Sequence, residues 1–306
     1  MKLASRANWA TVGWQGIVLK APADWGLAAV TGDRDKGYFR VDSPSASAVE
    51  VRWSAAKSPP DLAARAGEFL DSMRREGRKR KARFSGKIEA KRGLPPGTPV
   101  RFTWKGDRNG YGLLRYCAEC GRVMIAQVVA SHDGRCASLA AEILDSITDH
   151  REDGWQDWAV FGLRVAVPPE FRLEKQILMS GYIQLAFKAR SGELAVEQWG
   201  LASSLLRRSS LEEWYPKDAL AQVKHFKVAL EPVADEEHPT LRLLGKRIGI
   251  GERVKTALRS LTLRPLPQRM HGYAWHCPDS NRLFSIRLVH DGEGLAERIR
   301  EEMSCH

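Results

Sequence analysis

What this chain lacks narrows its class more than what it holds. No stretch of its 306 residues approaches the roughly 18 consecutive apolar residues of a membrane-spanning helix. The opening Met1-Lys-Leu-Ala-Ser-Arg-Ala-Asn8 leads into no apolar core of about 7–15 residues, so secretion by a signal peptide is not expected. Cysteine is sparse and odd in number, five in all, which fits a reducing cytoplasm better than a disulfide framework. There is no G-x-S-x-G, no H-E-x-x-H and no G-x4-G-K-[ST], and no pair of acidic residues stands out as belonging to one site. The expectation is an intracellular protein that carries out no recognisable catalysis.

What is present is a long internal repeat. Gly16, Pro22, Trp25 and Trp53 recur as Gly162, Pro168, Phe171 and Trp199, all at an offset of 146. Gly112–Cys117 matches Gly272–Cys277, Arg122–Val129 matches Arg282–Val289, and each copy continues into His-Asp-Gly, at His132 and His290. A period this long marks a duplicated domain, because solenoid units repeat every 20–50 residues or so. Two domains of about 150 residues are expected, 1–150 and 151–306.

Within each copy, apolar segments alternate with turn signals as in a three-stranded meander (Ile17–Ala21, Tyr38–Val41 and Val49–Trp53 in the first). A helix is expected to begin at Ser58-Pro-Pro-Asp61, with the prolines in its first turn and Leu62, Ala66, Phe69 and Met73 on one face. Its counterpart starts near Ser210, where Pro216 should confine it. Further strands follow at Pro99–Trp104, Thr240–Leu244 and Val254–Leu263, then a hairpin, then a closing helix bearing Ile143 or Ile299. The order implies α+β domains, each a mostly antiparallel sheet with helices packed on it, related by a pseudo-two-fold. Repeated Trp53 and Trp199 suggest core anchors, and Trp9, Trp14, Trp155 and Trp158 are candidates to pack the two copies together.

The Gly16–Pro22–Trp25 opening, with this element order, resembles the PsbP-like family of α/β/α sandwiches; Phe171 replaces the tryptophan in the second copy. The resemblance implies a non-enzymatic binding or assembly role and transfers no site residue.

Charge separates the copies. The net charge of +11 divides as +9 over residues 1–150 and +2 over the rest. The segment from Arg74 to Arg92 alone carries ten cations, Arg74, Arg75, Arg78, Lys79, Arg80, Lys81, Arg83, Lys87, Lys91 and Arg92, against Glu76 and Glu89. Gly77 should interrupt the helix and leave this run, 74–92, as a loop or frayed end able to follow a backbone. The second copy has no such run, so the fold does not need it. Clustered Lys and Arg neutralise phosphates and release counterions, which points to an anionic partner, RNA or DNA ahead of a lipid surface. The plainer reading is a solvated linker that keeps the chain soluble.

Cys117-Ala-Glu-Cys120 has the spacing of a zinc knuckle, and zinc is the one cofactor the motifs suggest. Adding His132 and Cys136 gives C-x2-C-x11-H-x3-C, but an extended Val123–Ala130 would carry His132 about 35 Å from Cys120. The second copy keeps Cys277 but has Ser280 at the Cys120 position, which favours Cys117 and Cys277 as buried strand residues. A redox dithiol is disfavoured at a hairpin turn. His-Asp-Gly reads as turn chemistry, and Ile248-Gly-Ile-Gly251 as a bend. Three functional classes follow: a nucleic-acid binder using the basic run, an assembly protein binding another protein through its sheets, and an enzyme using a cleft between the copies.

Overall fold

The computed structural model describes residues 8–90, 93–130, 136–221, 223, 225–234, 237–248 and 267–305. The chain divides into two compact units, Met1–Phe161 and Gly162–His306. The division falls later than the 150/151 boundary read from the repeat. The strand Gln156–Val160, which opens the second copy in sequence, pairs antiparallel with Trp9–Trp14 of the first.

Unit 1 runs β1 (Trp9–Trp14), β2 (Ile17–Pro22), β3 (Gly26–Gly32), β4 (Lys36–Asp42), β5 (Ala48–Ala55), α1 (Leu62–Lys79), β6 (Ser85–Glu89), β7 (Val100–Lys105), β8 (Asn109–Cys117), β9 (Arg122–Ala130), α2 (Cys136–Asp145) and β10 (Gln156–Val160). Seven of these strands form one antiparallel sheet in the order β3-β4-β5-β9-β8-β7-β6. Side chains alternate faces along a strand, so β9 builds two layers at once. Val123 and Val129 join Leu62, Ala66 and Leu70 of α1 in one apolar cluster. Their neighbours Met124, Ala126 and Val128 are buried on the other face. On that side Arg122 reaches Asp149, just beyond α2, and α2 lies against β8, β9 and β2.

Unit 2 runs β11 (Leu163–Val167), β12 (Arg172–Met179), β13 (Tyr182–Ala189), β14 (Gly192–Gly200), α3 (Ala202–Leu205), α4 (Leu211–Asp218), β15 (Phe226–Val233), β16 (Thr240–Arg247), β17 (Arg269–Cys277), β18 (Arg282–Val289) and α5 (Leu295–Glu301). Its sheet has the order β12-β13-β14-β18-β17-β16-β15, strand for strand that of unit 1. Both units are sheet-rich α+β. In each, the residues after the last helix return to the second strand of the repeat, Thr148 bridging Val18 and Ser304 bridging Arg164.

Four expectations need correction. Gly77 does not interrupt the helix: α1 continues through it to Lys79. A mid-helix glycine costs only about 1 kcal/mol. Against that cost stand the buried face Leu62, Ala66 and Leu70 and the Glu76 ion pairs to Lys79 and Arg80. The prolines of Ser58-Pro-Pro-Asp61 precede the helix, and Asp61 itself is the N-cap, accepting from the Ala64 N–H at 3.0 Å. The expected first strands of the meanders, Ile17–Ala21 and Leu163–Val167, lie outside the seven-stranded sheets: β2 pairs with β1, and β3 and β12 take the outer places beside β4 and β13. Strands β6 and β15, absent from the sequence reading, form the opposite edges. The expected strand Val254–Leu263 lies outside the described residues, as do His132 and all of Ile248-Gly-Ile-Gly251 except Ile248.

Trp14 and Trp158 meet edge to face within unit 1, their centroids 5.0 Å apart. No helix among the described residues is long and apolar enough to cross a membrane.

Candidate basic surface and thiol clusters

The basic segment is built from three pieces of structure. Arg74, Arg75, Arg78 and Lys79 lie in the last turns of α1. Cations there interact favourably with the carbonyl end of a helix. The helix then closes on Lys81, which takes a left-handed φ of 56°, while Lys81 N–H donates to Arg78 and Ala82 N–H donates to Gly77. That is a Schellman-type stop in which lysine occupies the position usually given to glycine. The chain then turns through Arg83 into β6, the edge strand that carries Lys87. The run is therefore an ordered helix end, turn and sheet edge, correcting the expected 74–92 loop; Lys91 and Arg92 lie outside the described residues.

Charge accounting on this edge favours the cations. Arg74 is paired with Asp71, and Glu76 with both Lys79 and Arg80. Arg75, Arg78, Lys81, Arg83 and Lys87 are exposed and have no ion-pair partner among the described residues. Beneath the turn lies a hollow of about 240 Å³, with Met73, Phe84 and Trp104 among its walls and Arg80, Arg83 and Arg108 among its polar lining. Phe84 and Trp104 stack with centroids 6.0 Å apart and planes 22° from parallel. At the matching place in unit 2, α4 carries Glu212, Glu213 and Asp218 against Lys217 alone.

The second feature sits at the β8–β9 hairpin. Cys117 ends β8, and the turn Ala118–Gly121 brings Cys120 back over it, so that the Cys120 N–H donates to Cys117 Sγ at 3.3 Å. Gly121 supplies the left-handed residue, φ 60°, that closes the turn. The segment after α2 then delivers Asp149 and His150. His150 Nδ1 stands 3.3 Å from both Cys117 Sγ and Cys120 Sγ, while its Nε2 meets the Glu119 carboxylate. Asp149 is buried and ion-paired with Arg122, which also donates to the carbonyls of Gln15 and Asp149. Donor atoms of Cys117, Cys120, Asp149 and His150 all lie within 4.8 Å of one another.

Burial first, and then the Asp149 carboxylate, push the Cys120 thiol up to about 12.

Unit 2 has its own cluster at the matching place in its sheet. Cys277 ends β17 as Cys117 ends β8, and Cys305 follows Ser304 as Asp149 follows Thr148. His238, just before β16, completes the group, its Nε2 3.1 Å from Cys305 Sγ. Donor atoms of His238, Cys277 and Cys305 also lie within 4.8 Å of one another. Burial, followed by Cys277, holds the Cys305 thiol up at about 12.

Of the sequence-derived donors, the structure brings Cys117 and Cys120 together. Cys136 opens α2 and belongs to neither cluster. Strand β9 is continuous from Arg122 to Ala130, as the objection to the four-ligand finger required. His150, Asp149, His238 and Cys305 were missed. One signal was legible: Thr148-Asp-His150 and Ser304-Cys-His306 close the two copies with donor-rich dipeptides. The remaining His-Asp-Gly is a turn, with Asp291 accepting from the N–H groups of Gln268 and Arg269. No protein-family model matches this chain, and no curated protein matches it.

Proposed function

We propose that this chain is a non-catalytic nucleic-acid-binding protein whose first unit presents the α1–β6 edge to a phosphate backbone. The observation that carries the reading is the exposed, unneutralised set Arg75, Arg78, Lys81, Arg83 and Lys87 on an ordered edge, where the corresponding helix of unit 2, α4, carries three acidic residues against one lysine. An ordered array of this kind binds phosphates without reading bases, so affinity should fall steeply with salt and vary little with sequence. The rim arginines above Phe84 and Trp104 add planar cations suited to phosphate oxygens.

The duplication of one α+β domain belongs to the same proposal, supported by the common strand order and the shared return to the second strand. Membership of the PsbP-like group rests on Gly16, Pro22 and Trp25, and a cytoplasmic site of action rests on the sparse cysteine.

The test is fluorescence anisotropy of labelled single-stranded RNA and duplex DNA over a salt series, comparing the native chain with a variant in which Arg78, Lys81, Arg83 and Lys87 become alanine. Four lost phosphate contacts should lower the slope of log K against log salt by about 3–4 units. An unchanged slope, or no binding at low salt, retires the basic edge and turns the search to protein partners of the sheets.

A further inference from the structure

We propose that each unit binds one zinc-class cation: in unit 1 through Cys117 Sγ, Cys120 Sγ, His150 Nδ1 and an Asp149 carboxylate oxygen, and in unit 2 through Cys277 Sγ, Cys305 Sγ and an imidazole nitrogen of His238. Zinc favours tetrahedral thiolate and imidazole ligands, with Zn–S near 2.3 Å and Zn–N near 2.0–2.1 Å, so a sulfur and a nitrogen on one ion stand about 3.6 Å apart. The two sulfur-to-Nδ1 distances in unit 1 are 3.3 Å, close to that edge of the tetrahedron.

The surroundings fit as well as the donors. His150 Nε2 is held by Glu119, which comes from the knuckle itself and leaves Nδ1 facing the sulfurs. A carboxylate behind a ligating imidazole fixes its tautomer and strengthens it as a donor. The Cys120 N–H bond to Cys117 Sγ would stabilise a thiolate there. Charge closes too. Two thiolates, one carboxylate and a divalent ion leave a single negative charge, and the buried Arg122 guanidinium on Asp149 offsets it. Binding displaces the thiol protons to solvent, one for each cysteine ligated.

Unit 2 provides the independent observation. Among the described residues, only Cys117/Cys277 is shared between the two donor sets. Ser280 replaces Cys120, Cys305 replaces Asp149, and His238 enters from a different strand end. Among those residues the donor set is rebuilt rather than copied, at the same junction of hairpin turn and post-helix segment. Such rebuilding is expected when binding is retained while individual ligands drift.

The full-length chain, reduced and stripped with chelator, should be titrated with Co2+ as a spectroscopic stand-in for zinc. Expected are sulfur-to-cobalt charge-transfer and tetrahedral visible bands that saturate at two equivalents and are displaced by Zn2+. Cys117→Ser with Cys120→Ser should remove one equivalent, and Cys277→Ser with Cys305→Ser the other. Absence of a thiolate–cobalt band, or a band that survives both double variants, overturns the proposal. A single equivalent lost only with the unit 1 cysteines overturns its unit 2 half. In case the variants do not fold, alkylation of the unmodified chain gives a second reading. Zinc should slow modification of the four clustered cysteines at least tenfold while leaving Cys136 unchanged, and equal rates with and without zinc overturn the proposal.

Discussion

At the residue scale, the same dipeptide serves two purposes in the two units. Gly37 and Gly181 are both followed by tyrosine and both precede a tryptophan on the next strand but one turn away, yet only Gly37 is pressed by it. A Cβ at Gly37 would fall inside the Trp53 ring, whose Nε1–H is anchored to the Asp33 carbonyl at 2.8 Å. Gly181 has open space around its Cβ position, and its φ of 84° is what demands glycine. Alanine at Gly37 should therefore cost about 1–3 kcal/mol or more through overpacking. Alanine at Gly181 should cost about 1–2 kcal/mol through left-handed backbone. In urea unfolding, G37A should also red-shift or quench Trp fluorescence, while G181A should not; equal, spectrally silent losses would show that the Trp53 contact does not hold Gly37. The repeat alone made both glycines visible, but not the reason for either. That reason depends on which ring lies across the strand, which spacing along the chain does not encode.

At the element scale, caps decide the helices. Ser210 accepts from the Glu213 N–H at 3.3 Å and opens α4, a short helix that holds Pro216 and buries Leu211, Trp214 and Tyr215. The hydrogen bond to Ser210, and then one to its own backbone, hold the Glu212 carboxyl below its usual value. A depressed folded-state pKa contributes stability that is present above the unfolded value, near 4.3, and is lost as pH falls through the folded one. Ser210→Ala should cost roughly 1 kcal/mol at neutral pH. The gap between variant and parent should narrow as pH drops from about 5 to below 4. A gap constant over that range would remove Glu212 from the cap. Helix α1 illustrates what was and was not legible. Its buried face was readable from Leu62 and Ala66, but its end was not. The stop depends on Lys81 accepting a left-handed φ and on Glu76 pairing with the two cations that follow, and propensity at Gly77 argues the opposite way.

At the scale of the molecule, the sheet-rich α+β class was the most readable property, because antiparallel strands keep the buried alternation that marks them. Edge strands were the least readable. Strand β6 is five residues long with only Ile88 half-buried, and β15, although it alternates from Phe226 to Glu231, is interrupted by Pro232. The donor clusters were half readable for a related reason. A knuckle is local, so Cys117 and Cys120 announce themselves, whereas His150 arrives only because Thr148 pairs with Val18 across the unit.

Those same outer strands bear on whether copies of the chain stay apart. Among the described residues, each seven-stranded sheet ends in two edge strands with a row of backbone donors and acceptors facing outward, and such rows can template cross-β stacking. Every one of the four is spoiled. Strand β6 is five residues long and displays Lys87, and β15 contains Pro232, which has no N–H to offer. Strands β3 and β12 each skip a residue in register, at Leu27/Ala29 and Leu173/Lys175, positions that match at the repeat offset. Deleting Ala28 and Glu174 to straighten both strands should shorten the lag before thioflavin-positive fibrils form under agitation. An unchanged lag would mean that the kinks do not guard those edges. The irregular places in this fold would thus keep a sheet-rich protein from becoming an amyloid.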